Sequence, residues 1–207
     1  NRYNARFLRW PKSVSKVIDR VSTFAAPMYP ARRGDHDMTS RLAAVVFGRD
    51  EDVDAALRDF VAAARAEGVR VAGFLQESVP AEPRPDVVLR DVETGAVIAI
   101  MQDLGAGATG CRLDSAAIAV AAERLGRAIA QNPDLVVVNR FGKLESEGGG
   151  VVAELAEAVA RDLPVVVCVP ERFRDAWNGF AAGLDTQLPP ELTELSAWWA
   201  QVARAYA

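Results

Sequence analysis

Short apolar runs recur along the chain from residue 42 onward, separated by segments of helical periodicity, and this alternation constrains the fold more than any other feature. LAAVVFG (42–48) reads as a buried strand. DEDVDAALRDFVAAARAEG then puts Val53, Leu57, Phe60, Val61 and Ala64 on one helical face and stops at Gly68. VRVAGFLQ (69–76) is a second strand. After a proline-rich connector, DVVLRDVETGAVIAIMQDL shows two alternating runs joined at Glu93-Thr94-Gly95, the pattern of a β-hairpin. A helix from Ser115 to about Gln131 follows, with Asp114 as N-cap and Ile118, Ala121, Leu125 and Ile129 as its buried stripe. DLVVVN (134–139) is another buried strand. A helix over Val151 to Asp162 leads to PVVVCVP (164–170), an unbroken apolar run expected of a strand covered on both faces. Helical stretches around Phe173 to Leu184 and Glu191 to Tyr206 close the chain. Strands alternating with helices predict a three-layer α/β fold: a mostly parallel sheet, helices on both faces, and an inserted β-hairpin.

Charge divides the chain in two. Residues 1–37 hold eight Arg/Lys against three Asp, and the remainder holds sixteen against twenty-five. The acidic body gives no basic face for nucleic acid. The basic stretch 1–37 is expected to be a poorly ordered or non-native extension, either a presequence or interaction arm, or residues upstream of a natural start at Met38. Residues 38–207 are expected to form a single α/β domain. No run of about 18 apolar residues is present to span a membrane as a helix. Cys111 and Cys168 make no disulfide framework, which with the lack of a secretory pattern points to the cytoplasm. His36, the only histidine, lies outside the body and removes histidine-based triads and most zinc sites from it.

Ligands of open α/β sheets gather beyond the carboxyl ends of the strands, where four loops are expected here. In the first, GRDEDVDAAL, Asp50, Glu51, Asp52 and Asp54 favour a helix start and would repel a triphosphate. The second begins at Gln76. The third, QDLGAGATGCRLD, contributes Gln102, Asp103, Gly105, Gly107, Thr109, Gly110, Cys111, Arg112 and Asp114 as candidate ligand-binding residues. Its G-x-G-x-x-G spacing is out of register for a dinucleotide, because four residues intervene before the helix. Two readings stand: an anion nest closed by Thr109 and Arg112, or a tight turn in which Arg112 pairs with Asp103 or Asp114. The Cys111 thiol lacks a histidine base and reads as structural. The fourth loop supplies Asn139, Arg140, Lys143 and Glu145. Arg140 and Lys143 favour an anion, Lys143 and Glu145 are the candidate catalytic pair, and Gly148 to Gly150 give mobility. No metal or dinucleotide signal stands out, and the cofactor is undetermined.

GVRVAGFLQ, MQDLGAGATGCRLD and VVNRFGKLESEGGG, followed by a second α/β unit, resemble the bacterial family of domain of unknown function 2478 over Leu42 to Trp199. That family is similar in layout to P-loop nucleoside triphosphatases of the THEP type. The resemblance implies a P-loop-NTPase-like fold without a functional P-loop: Gly48-Arg49-Asp50-Glu51-Asp52 stands at the phosphate cradle, and Asn139-Arg140 at an acidic pair, while Gly142, Lys143 and Glu145 remain. It also implies a molybdenum-uptake context, with molybdenum-transport components as partners. Three functions follow as expectations. One is a non-hydrolysing accessory protein binding a small oxyanion or phosphorylated ligand. Another is an atypical nucleoside triphosphatase or phosphohydrolase using Lys143 and Arg112 with Glu145 or Asp103. The third is a protein-interaction module docking through Trp177, Phe180, Trp198 and Trp199.

Overall fold

The computed structural model describes residues 40–82, 85–102 and 112–204, and elements are numbered within them. In chain order they are β1 (Leu42–Phe47), α1 (Val53–Ala66), β2 (Val71–Val79), β3 (Asp86–Asp91), β4 (Val97–Ala99), α2 (Ser115–Ala130) and β5 (Leu135–Val138). The second half adds α3 (Lys143–Ser146), α4 (Val152–Ala160), β6 (Val165–Pro170), α5 (Arg174–Ala181), β7 (Asp185–Leu188) and α6 (Leu192–Arg204). One seven-stranded sheet has the order β4-β3-β2-β5-β6-β1-β7. β2, β5, β6, β1 and β7 run parallel, and the β3–β4 hairpin joins β2 antiparallel. The extension at residues 1–37 lies outside the described residues.

Side-chain alternation along the strands feeds two cores. Ala43, Val45 and Phe47 of β1, with Val166 and Cys168 of β6, pack under α1 and α6. Ala44 and Val46, with Val165, Val167 and Val169, pack under α2, α4 and α5. Every residue of β6 is buried, which is why its sequence carries no polar alternation. The α1 face expected from periodicity is the buried one, and at about 1.5–3 kcal/mol for each large side chain its burial anchors the helix. Gly73 permits the β2–β5 seam: its φ is +125°, and a Cβ there would stand 1.9 Å from the Val137 carbonyl oxygen.

Three elements differ from expectation. β2 continues to Val79 through Glu77 because β3 keeps pairing with it as far as Asp86. β7, the polar stretch DTQL, was not expected as a strand; it takes its hydrogen bonds from the edge of β1. The third is α3, a single turn inside the fourth loop. Trp177 and Trp198 are core residues whose indole nitrogens donate to Asp185 and to the Ser40 carbonyl, each at 2.8 Å. Phe180 is buried too, so of the four aromatics expected as a docking surface only Trp199 keeps partial exposure. Among the described residues no helix is long and apolar enough to cross a membrane.

Candidate functional site

β1 and β5 deliver their loops to the same edge of the sheet, with β6 between them. In the β1 loop two acidic side chains, Glu51 and Asp52, turn onto their own backbone. The Gly48 amide donates to the Glu51 carboxylate, and the Ala55 amide to Asp52 Oδ1 at 3.0 Å, so these two amides are already satisfied. Asp54, one turn into α1, reaches across to β5. Asn139 Nδ2 donates to Asp54 Oδ1 at 3.0 Å, and Arg140 Nη2 donates to Asp54 Oδ1 and Oδ2 at 3.0 and 3.2 Å. The Arg140 guanidinium also lies 4.8 Å from the centre of the Phe47 ring. Asn139 is only 4% exposed, and its Oδ1 and Arg140 Nε are left without hydrogen-bond partners.

Asp54 is the residue that sequence reasoning missed, having been grouped with its acidic neighbours as a helix start. A signal was present. Counting the G-x-x-x-x-G-K-[ST] spacing from Gly48 puts Asp54 where that motif has its phosphate-binding lysine. Asp54 on α1 and Arg140 at the end of β5 thus face each other as anion and cation.

The fourth loop is built around Glu145. Its carboxylate accepts from the Gly142 amide at 2.9 Å and the Val151 amide at 3.3 Å, tying both ends of the loop together. Burial pushes its pKa up, while those amides pull it down. Gly150, at φ +59°, makes room for it, since a Cβ there would lie 1.9 Å from Glu145 Oε1. Glu145, a catalytic candidate from sequence, therefore has both carboxylate oxygens engaged by backbone amides. Lys143 is exposed, with its Nζ 3.8 Å from the Glu147 carboxylate.

At the third loop the structure describes only the neck. Gln102 N donates to the Arg112 carbonyl at 2.6 Å, and Arg112 Nε returns a bond to the Gln102 carbonyl at 3.2 Å. The Arg112 guanidinium pairs with Asp86 of β3 at 2.6 Å. Of the two partners expected for it, Asp114 caps α2 through the Ala116 and Ala117 amides, and Asp103 lies outside the described residues. Gly105, Gly107, Thr109, Gly110 and Cys111 also lie outside them. Cys168 is fully buried in β6, where burial and the Asp54 charge push its thiol pKa up.

Between α2, the hairpin and the fourth loop lies a cavity of about 310 Å³. Asn139, Arg140, Lys143 and Glu145 share its wall, whereas Gln102, Arg112 and Asp114 are not among its lining residues. Among the described residues no cluster of His, Cys, Asp or Glu could hold a metal ion.

This architecture is that of the P-loop-NTPase-like α/β proteins. It matches the solution structure of a human cancer-related nucleoside triphosphatase with a TM-score of 0.54 at 13% identity, over 80% of this chain and 97% of that one. The crystal structure of THEP1 from Aquifex aeolicus matches with a TM-score of 0.52 at 13% identity, over 77% of this chain and 96% of that one. At that identity the likeness establishes the fold alone. The chain belongs to the family described as protein of unknown function (DUF2478), whose model matches residues 42–198. It is also 38% identical over 162 residues to a molybdenum import ATP-binding protein, ModC 2, of Bradyrhizobium diazoefficiens, covering 77% of this chain but 18% of that protein.

Proposed function

We propose that this protein is a non-hydrolysing accessory protein on a P-loop-NTPase-like scaffold, binding a small oxyanion or phosphorylated ligand in the context of molybdenum uptake. The observation that carries the reading is the reversed ion pair. Asp54 stands where a phosphate-binding lysine would be, and its carboxylate is held by Arg140 at 3.0 Å. A triphosphate placed there would meet Asp54 and the carboxylates of Glu51 and Asp52, with no lysine or Ser/Thr at the motif positions to hold phosphate and magnesium. Asn139 in place of a carboxylate neither balances a metal ion's charge nor takes a proton from water.

Cationic groups near the ends of β2 and β5 support an anionic ligand. Arg140 and Lys143 sit on the cavity wall, and Arg112 bonds the Gln102 carbonyl between the wall residues Met101 and Leu113. The molybdenum context rests on the 38% identity to the import protein, and molybdenum-transport components are the partner class it suggests. A rebuilt phosphohydrolase centred on Lys143 and Glu145 is the alternative, but both Glu145 oxygens are engaged by amides and neither is held ready for a water.

Calorimetric titration of the full chain with molybdate, tungstate, phosphate and ATP tests the reading, alongside phosphate release from nucleotides with magnesium or manganese. Saturable heat from at least one anion without turnover is expected. Silence from every anion would remove the binding role, and turnover lost in Glu145→Gln would install the phosphohydrolase in its place.

A further inference from the structure

The cavity beside the fourth loop is chemically two-part. Its body is apolar, walled by Phe74 and Leu89 of the β2–β3 pair, Leu113, Ile118 and Leu125 around α2, and Val138 of β5. Its volume of about 310 Å³ is at the small end of the range for organic ligands, about 300–1,000 Å³. A bare oxyanion makes poor use of such a body, because desolvating a charge against leucine and phenylalanine costs more than it returns.

Two exposed cations border the cavity with at most a loose acidic partner. Arg172 is exposed, its guanidinium lies over the neighbouring Phe173 ring at 5.0 Å, and among the described residues no carboxylate pairs with it. Lys143 has only the 3.8 Å approach to Glu147, with both side chains exposed. The other acidic groups nearby are committed: Glu145 to amides, Glu171 to Arg174, and Asp54 to Arg140. Asn139, buried in the wall, has its Oδ1 unpartnered, an acceptor for a hydroxyl or N–H carried on the ligand body.

We propose that this cavity takes a small organic anion with a flat apolar body, seated between α2 and the β2–β3 pair, with its acid group held by Lys143 and Arg172. The proposal rests on the reading that the ends of β2 and β5 bind an anion, and it narrows that anion from an inorganic ion to an organic acid or phosphate ester.

Anilinonaphthalene sulfonate, and the phenylnaphthylamine that lacks its sulfonate, are the probes, followed by fluorescence on the full chain alongside calorimetry with molybdate and phosphate. One saturable sulfonate site is expected. Ile118→Trp, which fills the apolar body, should weaken it at least about tenfold. The double variant Lys143→Glu, Arg172→Glu should weaken the sulfonate about fivefold and leave the neutral amine unchanged, as fits two exposed charge contacts. Thermal unfolding of each variant checks that the fold persists, and Ile118→Met, which keeps the volume, should bind as the parent does. Several non-saturating sites, or equal loss of both probes on charge reversal, overturns the proposal. Heat from molybdate with no sulfonate site also overturns it but leaves the anion-binding reading standing; silence from every anion ends both.

Discussion

The β1 loop and the β5 loop lie at one edge of the sheet and treat their charges in opposite ways. Three of the four acidic groups in the β1 loop are turned to the protein's own use: Glu51 on Gly48, Asp52 on Ala55, Asp54 on Asn139 and Arg140. The β5 loop spends its glutamate on its own frame and leaves Lys143 exposed beside an apolar cavity. One loop is closed by internal ion pairing, and the other is preorganised and open. The proposed ligand chemistry is placed on the β5 side for that reason, since Lys143 there has only an exposed 3.8 Å pairing with Glu147.

The sharpest way to break that contrast is to reopen the closed side. Asp54→Lys puts a cation against Arg140 and deprives Asn139 Nδ2 of its acceptor. Losing a fully buried pair costs about 3–5 kcal/mol, and the 28% and 30% exposure of these side chains lowers the expectation to about 2–3 kcal/mol in chemical denaturation. Adding Arg140→Glu restores an opposite pair and should recover most of the loss. If the two changes prove additive, the pair is not the strut that closes this loop.

Next in size is Gly150→Ala, which attacks the frame of the open loop. The residue sits at φ +59°, and the new methyl would displace Glu145 Oε1 from the Val151 amide. About 2 kcal/mol is expected. Glu145→Gln is milder. It keeps an acceptor for one amide but turns an NH2 toward the other, for a cost of about 1 kcal/mol. The two should not add, since both act through one carboxylate; full additivity in a double-mutant cycle would show that Glu145 does not organise the loop around Gly150.

The legibility of the chain follows the same division. β1, β6, α1 and the hairpin were readable because their signal is local: β1, β6 and α1 bury the residues their patterns marked, and β3 and β4 pair antiparallel around the turn expected at Glu93-Thr94-Gly95. β7 was not, because DTQL has no apolar pattern and becomes a strand only through the partner that β1 offers. At the site, the fourth loop could be located from its charges and glycines, yet the fate of Glu145 could not: a carboxylate taken out of water binds the nearest donors, and those are amides with no side chain to read. Asp54 pairs with residues 85 and 86 positions away, a distance at which single-sequence reasoning has only motif spacing to work with.

The smallest effect expected isolates an acid that neither loop uses. Glu154 on α4 packs toward α2, where a Cβ at Gly126 would meet its Cγ at 3.7 Å, and its Oε2 is buried without a partner. Burial raises its pKa above the ordinary 4.5, with its own backbone amide opposing. A raised folded pKa means that the folded state holds the proton more tightly than the unfolded chain does. The resulting stabilisation is complete below the ordinary value and is lost as pH rises through the folded one. Glu154→Gln should therefore match the parent below about pH 4.5 and exceed it at neutral pH, by less than about 1 kcal/mol because solvent screens a half-exposed group. Melting temperatures of both proteins across that range decide it. A gap that stays constant down to low pH would mean the carboxylate matters for its shape rather than its charge.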